Sequence, residues 1–100
     1  MTIPETILQQ LGGKRFQVMT GAKNFMADGE RKLIFTIPRG SAKNNIVRVT
    51  IELDWMDLYT VKFYRFGANL KVEMVAEYQG VYFDQLQELF THETGLYTKL

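Results

Sequence analysis

The sequence predicts one α+β domain spanning residues 1–100, with a short N-terminal helix, an antiparallel meander of about five strands and a C-terminal helix packed on one sheet face. Apolar residues recur at helical spacing near both ends of the chain and at every second position between them. The segments between the alternating stretches are too short to hold crossover helices, so neighbouring strands should pair antiparallel. A length of 100 residues with 46% hydrophobic content suits a single core.

The first helix is predicted over residues 3–11. Thr2 and Glu5 have the spacing of a capping box, in which both side chains satisfy backbone amides of the first turn. Pro4 suits an early helical position, and Gly12-Gly13 ends the helix. The apolar side of this helix consists of Ile3, Ile7, Leu8 and Leu11.

Five strands are predicted between residues 14 and 80. The first runs over 14–27 with a bulge or bend at Gly21, and Asp28-Gly29 forms a two-residue hairpin turn to a second strand over 31–37. After a polar loop over 38–45, the remaining strands are 47–53, 59–63 and 72–78, separated by turns at 54–57 and 67–69. Their predicted inward residues are Val47, Val49, Ile51, Leu53, Tyr59, Val61, Phe63, Val72, Met74, Ala76 and Tyr78.

The second helix is predicted over residues 82–92 and covers the apolar face of the sheet. Its inner stripe is Tyr82, Leu86, Leu89 and Phe90. Gly95 provides the left-handed C-cap, Leu96 folds back as the hydrophobic contact of that cap, and residues 97–100 form a short tail.

Composition argues against most catalytic chemistry. The chain has no cysteine, and His92 and Ser41 are its only histidine and serine. Ser41 lacks the strand-to-helix elbow of a hydrolase nucleophile, and one histidine cannot supply a zinc ligand set. We therefore predict no catalytic residue, no metal and no cofactor. No apolar run is long enough for a membrane span and no signal peptide is recognisable, which predicts a soluble intracellular protein without a membrane partner.

Charge is distributed unevenly along the chain. Residues 1–50 hold eight basic and three acidic side chains, whereas residues 51–100 hold four basic and eight acidic ones. The opposite charges either meet across the folded surface and stay solvated, or they mark binding surfaces.

One predicted surface would bind nucleic acid. The strand face opposite the core interleaves cations with aromatics, a composition that neutralises phosphates and stacks bases, although it also carries Glu52, Glu73 and Glu77. An ordinary solvated sheet face is the alternative. The nucleic-acid candidates on this face and in the basic loops are Lys14, Arg15, Lys23, Arg39, Lys43, Arg48, Lys62 and Tyr64.

Another predicted surface would bind protein. Trp55 and Met56 occupy a turn where a core position is hard to arrange, and aromatic residues and methionine are enriched in interface cores. The alternative is that Trp55 folds over the sheet edge as a plug. Asp84 and Glu88 on the wet side of the second helix are the other interface candidates.

Three segments resemble a family of small proteins encoded by bacteriophages, prophages and mobile elements. They are LGGKRFQVMTGAKNF at 11–25, the DLY step at 57–59, and an ending with GVY at 80–82, LFT at 89–91 and TGLYT at 94–98. The resemblance covers nearly the whole chain. It implies a phage-related origin and the cytoplasm of a bacterial host, and it implies no catalytic residue.

Together these observations predict a non-enzymatic binding protein of phage or mobile-element origin. The lead hypothesis is a protein-protein surface engaging a host or phage protein, with a role in counter-defence or host modulation. The alternative is nucleic-acid binding through the basic and aromatic sheet face. An open meander also has exposed edges, so the chain is expected as a monomer or an edge-paired homodimer.

Overall fold

The protein is a five-stranded antiparallel sheet whose one face is covered by helices. The computed structural model describes residues 2–98. The helices are α1 (Ile3–Leu11), α2 (Gly13–Thr20) and α3 (Leu86–Thr94), and the strands are β1 (Lys23–Ala27), β2 (Lys32–Thr36), β3 (Ile46–Leu53), β4 (Tyr59–Phe66) and β5 (Val72–Val81). The strands pair in chain order and each is antiparallel to the next. The predicted α+β meander is therefore confirmed.

Helix α1 has the predicted bounds, and the Thr2 half of the predicted capping box is present, whereas the Glu5 carboxylate bonds the Thr2 hydroxyl and not a backbone amide. The Thr2 hydroxyl accepts a hydrogen bond from the Glu5 amide at 3.2 Å and donates to the Glu5 carboxylate at 2.9 Å. The helix ends at Gly12, whose φ of 126° is open to glycine alone and whose amide donates to the Gln9 carbonyl at 3.1 Å. This conformation lets a second helix begin at the next residue.

The predicted strand over 14–27 is wrong in its first half, because α2 occupies residues 13–20. Phe16, Val18 and Thr20 alternate as strand residues would, but only Phe16 and Thr20 are buried, and Val18 is 74% exposed. Phe16 and Thr20 are four residues apart and share one side of a helix. Burial of Phe16 in the core selects the helix, and Gly21 caps it in the left-handed conformation, with its amide donating to the Gln17 carbonyl.

Two further predictions need correction. Residues 28–31, rather than a two-residue turn, join β1 to β2, and of the pair Asp28-Gly29 only Gly29 has a positive φ. The C-terminal helix starts as a 3-10 turn over Phe83–Gln85 and becomes α-helical at Leu86, which leaves Tyr82 exposed instead of on the inner stripe. The Gly95 cap and the packing of Leu96 are confirmed. Of the predicted tail, Lys99 and Leu100 lie outside the described residues.

Pairing in the described part of the sheet is irregular at four places, and the bulges at two of them overturn predicted side-chain orientations. Between the pairs Ile46↔Arg65 and Arg48↔Tyr64, β3 contains one extra residue, Val47. Val47 is buried, but it lies outside the core cluster, in which Ile46 occupies the place predicted for Val47.

The second bulge lies in β5. Val75 is the extra residue between the pairs Phe63↔Ala76 and Tyr64↔Met74. Val72 and Met74 are consequently exposed on the side opposite the helices, contrary to the predicted inward orientation, whereas Ala76 and Tyr78 do face the core. Glu73, which pairs in register with Arg65, leaves that exposed side.

The core lies between the helices and the inner face of the sheet. Phe16 of α2 is completely buried and packs edge-on against Phe35 of β2, at 5.4 Å between ring centroids, and against Phe90 of α3, at 5.0 Å. Phe25 of β1 extends the group through Phe35, at 5.2 Å. Four elements, α2, β1, β2 and α3, therefore meet at one aromatic cluster.

Replacing Phe16 should destabilise the protein strongly. Phe16→Ala removes a fully buried ring and leaves a cavity at this junction, so we expect a loss of about 3–5 kcal/mol in unfolding free energy. Val18→Ala, on the exposed side of the same helix, should change it by no more than about 0.5 kcal/mol. Urea unfolding followed by circular dichroism measures both, and equal losses would contradict the assigned helix orientation.

Candidate functional site

A long concave surface runs along α3. It is a groove of about 1020 Å³, and we call it the acidic groove because Asp84 and Glu88 both line it. Its other walls include Phe83, His92, Tyr97 and Gln10. The predicted interface candidates Asp84 and Glu88 are thus brought together in one site.

Hydrogen bonds between α1, α3 and the chain end build this groove. The Gln87 side-chain amide donates to the Gln10 carbonyl at 3.1 Å, and its oxygen accepts from the Thr98 hydroxyl at 3.1 Å. Gly95 turns the chain in the left-handed conformation, and the Leu96 amide donates to the Thr94 hydroxyl. These bonds hold the segment after α3 against the helix and fix Tyr97 as one wall.

The groove combines negative charge with exposed aromatic rings. Phe83 is 59% exposed and Tyr97 is 68% exposed, so both rings face solvent beside the two carboxylates. Within the described part of the chain, no lysine or arginine lines the groove. Such a surface suits a cationic group, which would gain ion pairs from the carboxylates and cation-π contacts from the rings.

Glu88 also belongs to a neighbouring depression. A hollow of about 550 Å³ lies between β5 and α3, and Glu88 and His92 line both it and the acidic groove. The exposed side of α3 is therefore a ridge with concave surfaces on either side of it.

Trp55 and Met56 are exposed at the turn between β3 and β4 and do not line the acidic groove. Trp55 is 87% exposed, which excludes the alternative of a plug over the sheet edge. The Arg31 guanidinium lies 4.4 Å from the centre of the indole ring and donates to the carbonyls of Leu53 and Asp54, at 2.9 and 2.8 Å. The predicted protein-interface candidates therefore occupy two separate places.

The face of the sheet opposite the helices, which we call the open face, gathers most of the predicted nucleic-acid candidates. Arg48 of β3 and Tyr64 of β4 are register partners there, and Lys62 lies two residues before Tyr64 in β4. Arg48 and Arg39 line a groove of about 230 Å³ at one end of this face. Lys23, at the start of β1, pairs in register with Thr36, which lines the same groove.

The other basic candidates lie elsewhere. Lys14 and Arg15 were predicted in a loop, but they are exposed on the first turn of α2. Lys43 lies in the 3-10 turn before β3. It is also close to the end of α3, because a Cβ added to Gly95 would be 3.6 Å from the Lys43 side chain. These three cations therefore do not contribute to the open face.

Two tyrosines attach helices to the sheet and have altered acidity. The hydrogen bond from the Tyr78 hydroxyl to the buried Glu93 carboxylate, together with burial, raises the pKa of Tyr78 above its ordinary value of 10.0. Burial raises the pKa of Tyr59 as well, although its 2.6 Å hydrogen bond to the Gln10 side chain acts in the opposite direction. Both tyrosines are structural contacts between elements.

Ser41 and Asp54 use their polar side chains in local turns. The Ser41 hydroxyl donates to the Pro38 carbonyl at 2.7 Å within its own turn. The Asp54 carboxylate accepts from the amides of Met56 and Leu58, at 2.8 and 3.1 Å. Across residues 2–98, no three potential metal-ligating carboxylate or imidazole groups cluster, and no helix is long and apolar enough to cross a bilayer.

Sequence reasoning missed Phe83 and Tyr97 as parts of the site. A signal for Phe83 was present, because the adjacent residues Tyr82 and Phe83 cannot both lie on the inner side of a helix. No comparable signal marked Tyr97, whose position depends on the turn at Gly95 and on the bonds that hold Thr98.

Comparison of the chain with protein-family models, with curated proteins and with solved structures found no match.

Removing Arg31 should loosen the turn that presents Trp55. Arg31→Ala deletes two hydrogen bonds from a charged donor, so we expect about 1–3 kcal/mol less unfolding free energy and lower fluorescence anisotropy of Trp55, the single tryptophan. Lys32→Ala is the matched control, because its 3.6 Å ion pair with Asp28 is partly exposed and should contribute less than about 1 kcal/mol. Unchanged Trp55 anisotropy in Arg31→Ala would refute this account of the turn.

Stability should fall in alkaline solution. The unfolded chain releases the tyrosine protons near pH 10.0, whereas folded Tyr59 and Tyr78 retain theirs to higher pH. Their contribution to stability is therefore complete below pH 10.0 and is lost as the pH rises through the raised values. Urea unfolding between about pH 9 and 11 should show this decline in unfolding free energy. The decline should be smaller in Tyr59→Phe and unchanged in Tyr97→Phe, the control at an exposed site.

Proposed function

We propose that this chain is a non-enzymatic binding protein that engages a basic segment of a protein partner in the acidic groove. The observation that carries the proposal is the pairing of two carboxylates, Asp84 and Glu88, with two exposed aromatic walls, Phe83 and Tyr97. A surface of this kind attracts cations through both the charge and the ring faces.

The chemistry of the groove defines the partner. A lysine or arginine side chain in the groove could form an ion pair with a carboxylate and contact an exposed ring, and arginine would add stacking through its planar guanidinium. Exposed aromatic residues at the centre of a concave surface are typical anchors of protein interfaces. An extended or loop segment carrying several cations therefore fits the groove better than an acidic or wholly apolar one.

The setting of this binding is part of the proposal. The resemblance to phage and mobile-element proteins favours action in the cytoplasm of a bacterial host, on a host or phage protein. Binding without catalysis is supported by the engagement of Ser41, the single serine of the chain, within its own turn. Counter-defence or modulation of a host enzyme is the role that such a binding protein would serve.

A labelled peptide of alternating arginine and glycine tests the groove. We expect it to bind at low salt and to weaken as salt rises, whereas a glutamate-glycine peptide should not bind. The double variant Asp84→Asn with Glu88→Gln removes both charges at nearly constant shape and should weaken arginine-peptide binding by roughly two- to thirtyfold. Phe83→Ala should weaken it by about two- to fivefold. Fluorescence anisotropy measures each value.

A matched control separates the groove from general attraction to a protein with many carboxylates. Glu30→Gln with Glu52→Gln also removes two exposed charges, but neither residue lines the groove. Equal weakening by the two double variants would refute the site. A protein captured from a bacterial lysate counts as a ligand of the groove only if the Asp84→Asn with Glu88→Gln variant fails to capture it.

A further inference from the structure

We infer that the open face binds single-stranded nucleic acid, with phosphates held by Arg39 and Arg48 in the groove at its end and bases stacked on Tyr64 and Phe66. We call this small groove the arginine groove. It is lined by Arg39 and Arg48, by the polar side chains of Asn24 and Thr36, and by the apolar side chains of Phe66 and Val72. It is a surface separate from the acidic groove.

The register of the sheet places cation and aromatic ring next to each other. Arg48 pairs with Tyr64, Tyr64 pairs with Met74, and Phe66 pairs with Val72 in the adjacent row. Because side chains alternate along a strand, Tyr64 and Phe66, which are two residues apart in β4, lie on the same face. Two rings in such an arrangement can stack successive bases.

The two bulges create this surface. The extra residues Val47 and Val75 lie in the strands on either side of β4, at the end of the sheet that holds the arginine groove. The Val75 bulge brings Val72 to the open face, where it forms an apolar wall beside Phe66, and moves Glu73 away to pair with Arg65 at 3.3 Å. Bulges commonly re-aim side chains at functional sites in this way.

Charge along the open face favours an anion at the arginine groove. Arg48 has uncharged register partners on both sides, Thr36 and Tyr64. Lys62 is different, since it pairs with Glu77, whose carboxylate offsets its charge. Phosphate attraction should therefore be strongest at the Arg48 end of the face.

The size of the arginine groove favours a single strand. Its volume of about 230 Å³ is below the roughly 300–1,000 Å³ of pockets for drug-sized ligands, so it has room for one base or one phosphate. The bases of a duplex are stacked within the helix and cannot stack on protein rings, whereas unpaired bases can. Single-stranded DNA or RNA is thus the occupant that uses the cations and the rings together.

Fluorescence anisotropy with labelled oligothymidine of about 16 nucleotides, near the upper end of known single-strand site sizes, tests the inference. We expect binding that weakens with salt. Arg39→Gln with Arg48→Gln should lower the slope of log affinity against log salt by about 1.4, or about 0.7 for each phosphate that is no longer neutralised. Phe66→Ala should weaken binding by about five- to a hundredfold, and because Phe66 is 41% exposed this variant should remain folded by circular dichroism.

Lys14→Gln with Arg15→Gln is the matched control, since it removes the same net charge from α2 on another part of the surface. It should leave the salt slope unchanged, and a uridine oligonucleotide in place of the DNA shows whether RNA also binds. The inference fails if the oligothymidine does not bind at about 50 mM salt, if both double variants lower the slope equally, or if a duplex of the same length binds as tightly. The Asp84 and Glu88 variant should keep its oligothymidine binding, which makes this test independent of the acidic groove.

Discussion

The packing of Phe16 is the contact on which the rest of the structure depends. Its ring lies against Phe35 of the sheet and Phe90 of α3, so it joins the second helix, the sheet and the last helix at one point. Because α2 follows α1 directly after Gly12, the Phe16 ring reaches this position in the core. With α3 fixed in this way, the Gln87 side chain donates a hydrogen bond to the Gln10 carbonyl of α1 and accepts one from the Thr98 hydroxyl, and these two bonds shape the acidic groove. Packing in the core thus fixes the helices that carry the residues of the acidic groove.

The sheet separates two surfaces of opposite character. On the helix side, Asp84 and Glu88 line one groove together with exposed aromatic rings, and on the open face Arg39 and Arg48 line another together with Phe66. A chain with net charge +1 therefore carries an acidic surface and a basic surface on opposite sides of its sheet. If both proposals hold, the protein would bring a basic protein segment and a nucleic-acid strand together without any catalytic step.

The composition of the open face depends on departures from regular pairing. In an unbroken register, Val72 and Met74 would face the core and Glu73 would stand on the open face. One extra residue, Val75, reverses all three positions, because the side chains of a strand alternate between its two faces. The same device at Val47 leaves Ile46 in the core and Arg48 outside. A bulge of one residue therefore removes the acidic side chain of Glu73 from the open face and places the apolar side chains of Val72 and Met74 there.

The sequence by itself determined the α+β class, the antiparallel pairing of successive strands, the capped first helix and the Gly95 cap, because these follow from local periodicity and from turn chemistry. The order of the strands across the sheet came from the tertiary structure. The sequence also singled out Asp84, Glu88, Arg48 and Tyr64, whose positions on exposed sides of regular elements can be counted. Only the tertiary structure decided that residues 13–20 form a helix, since alternation of Phe16, Val18 and Thr20 fits either period and the burial of Phe16 distinguishes them. It likewise decided the bulges and the place of Tyr97, because both arise from contacts between segments distant in sequence, which no local pattern records.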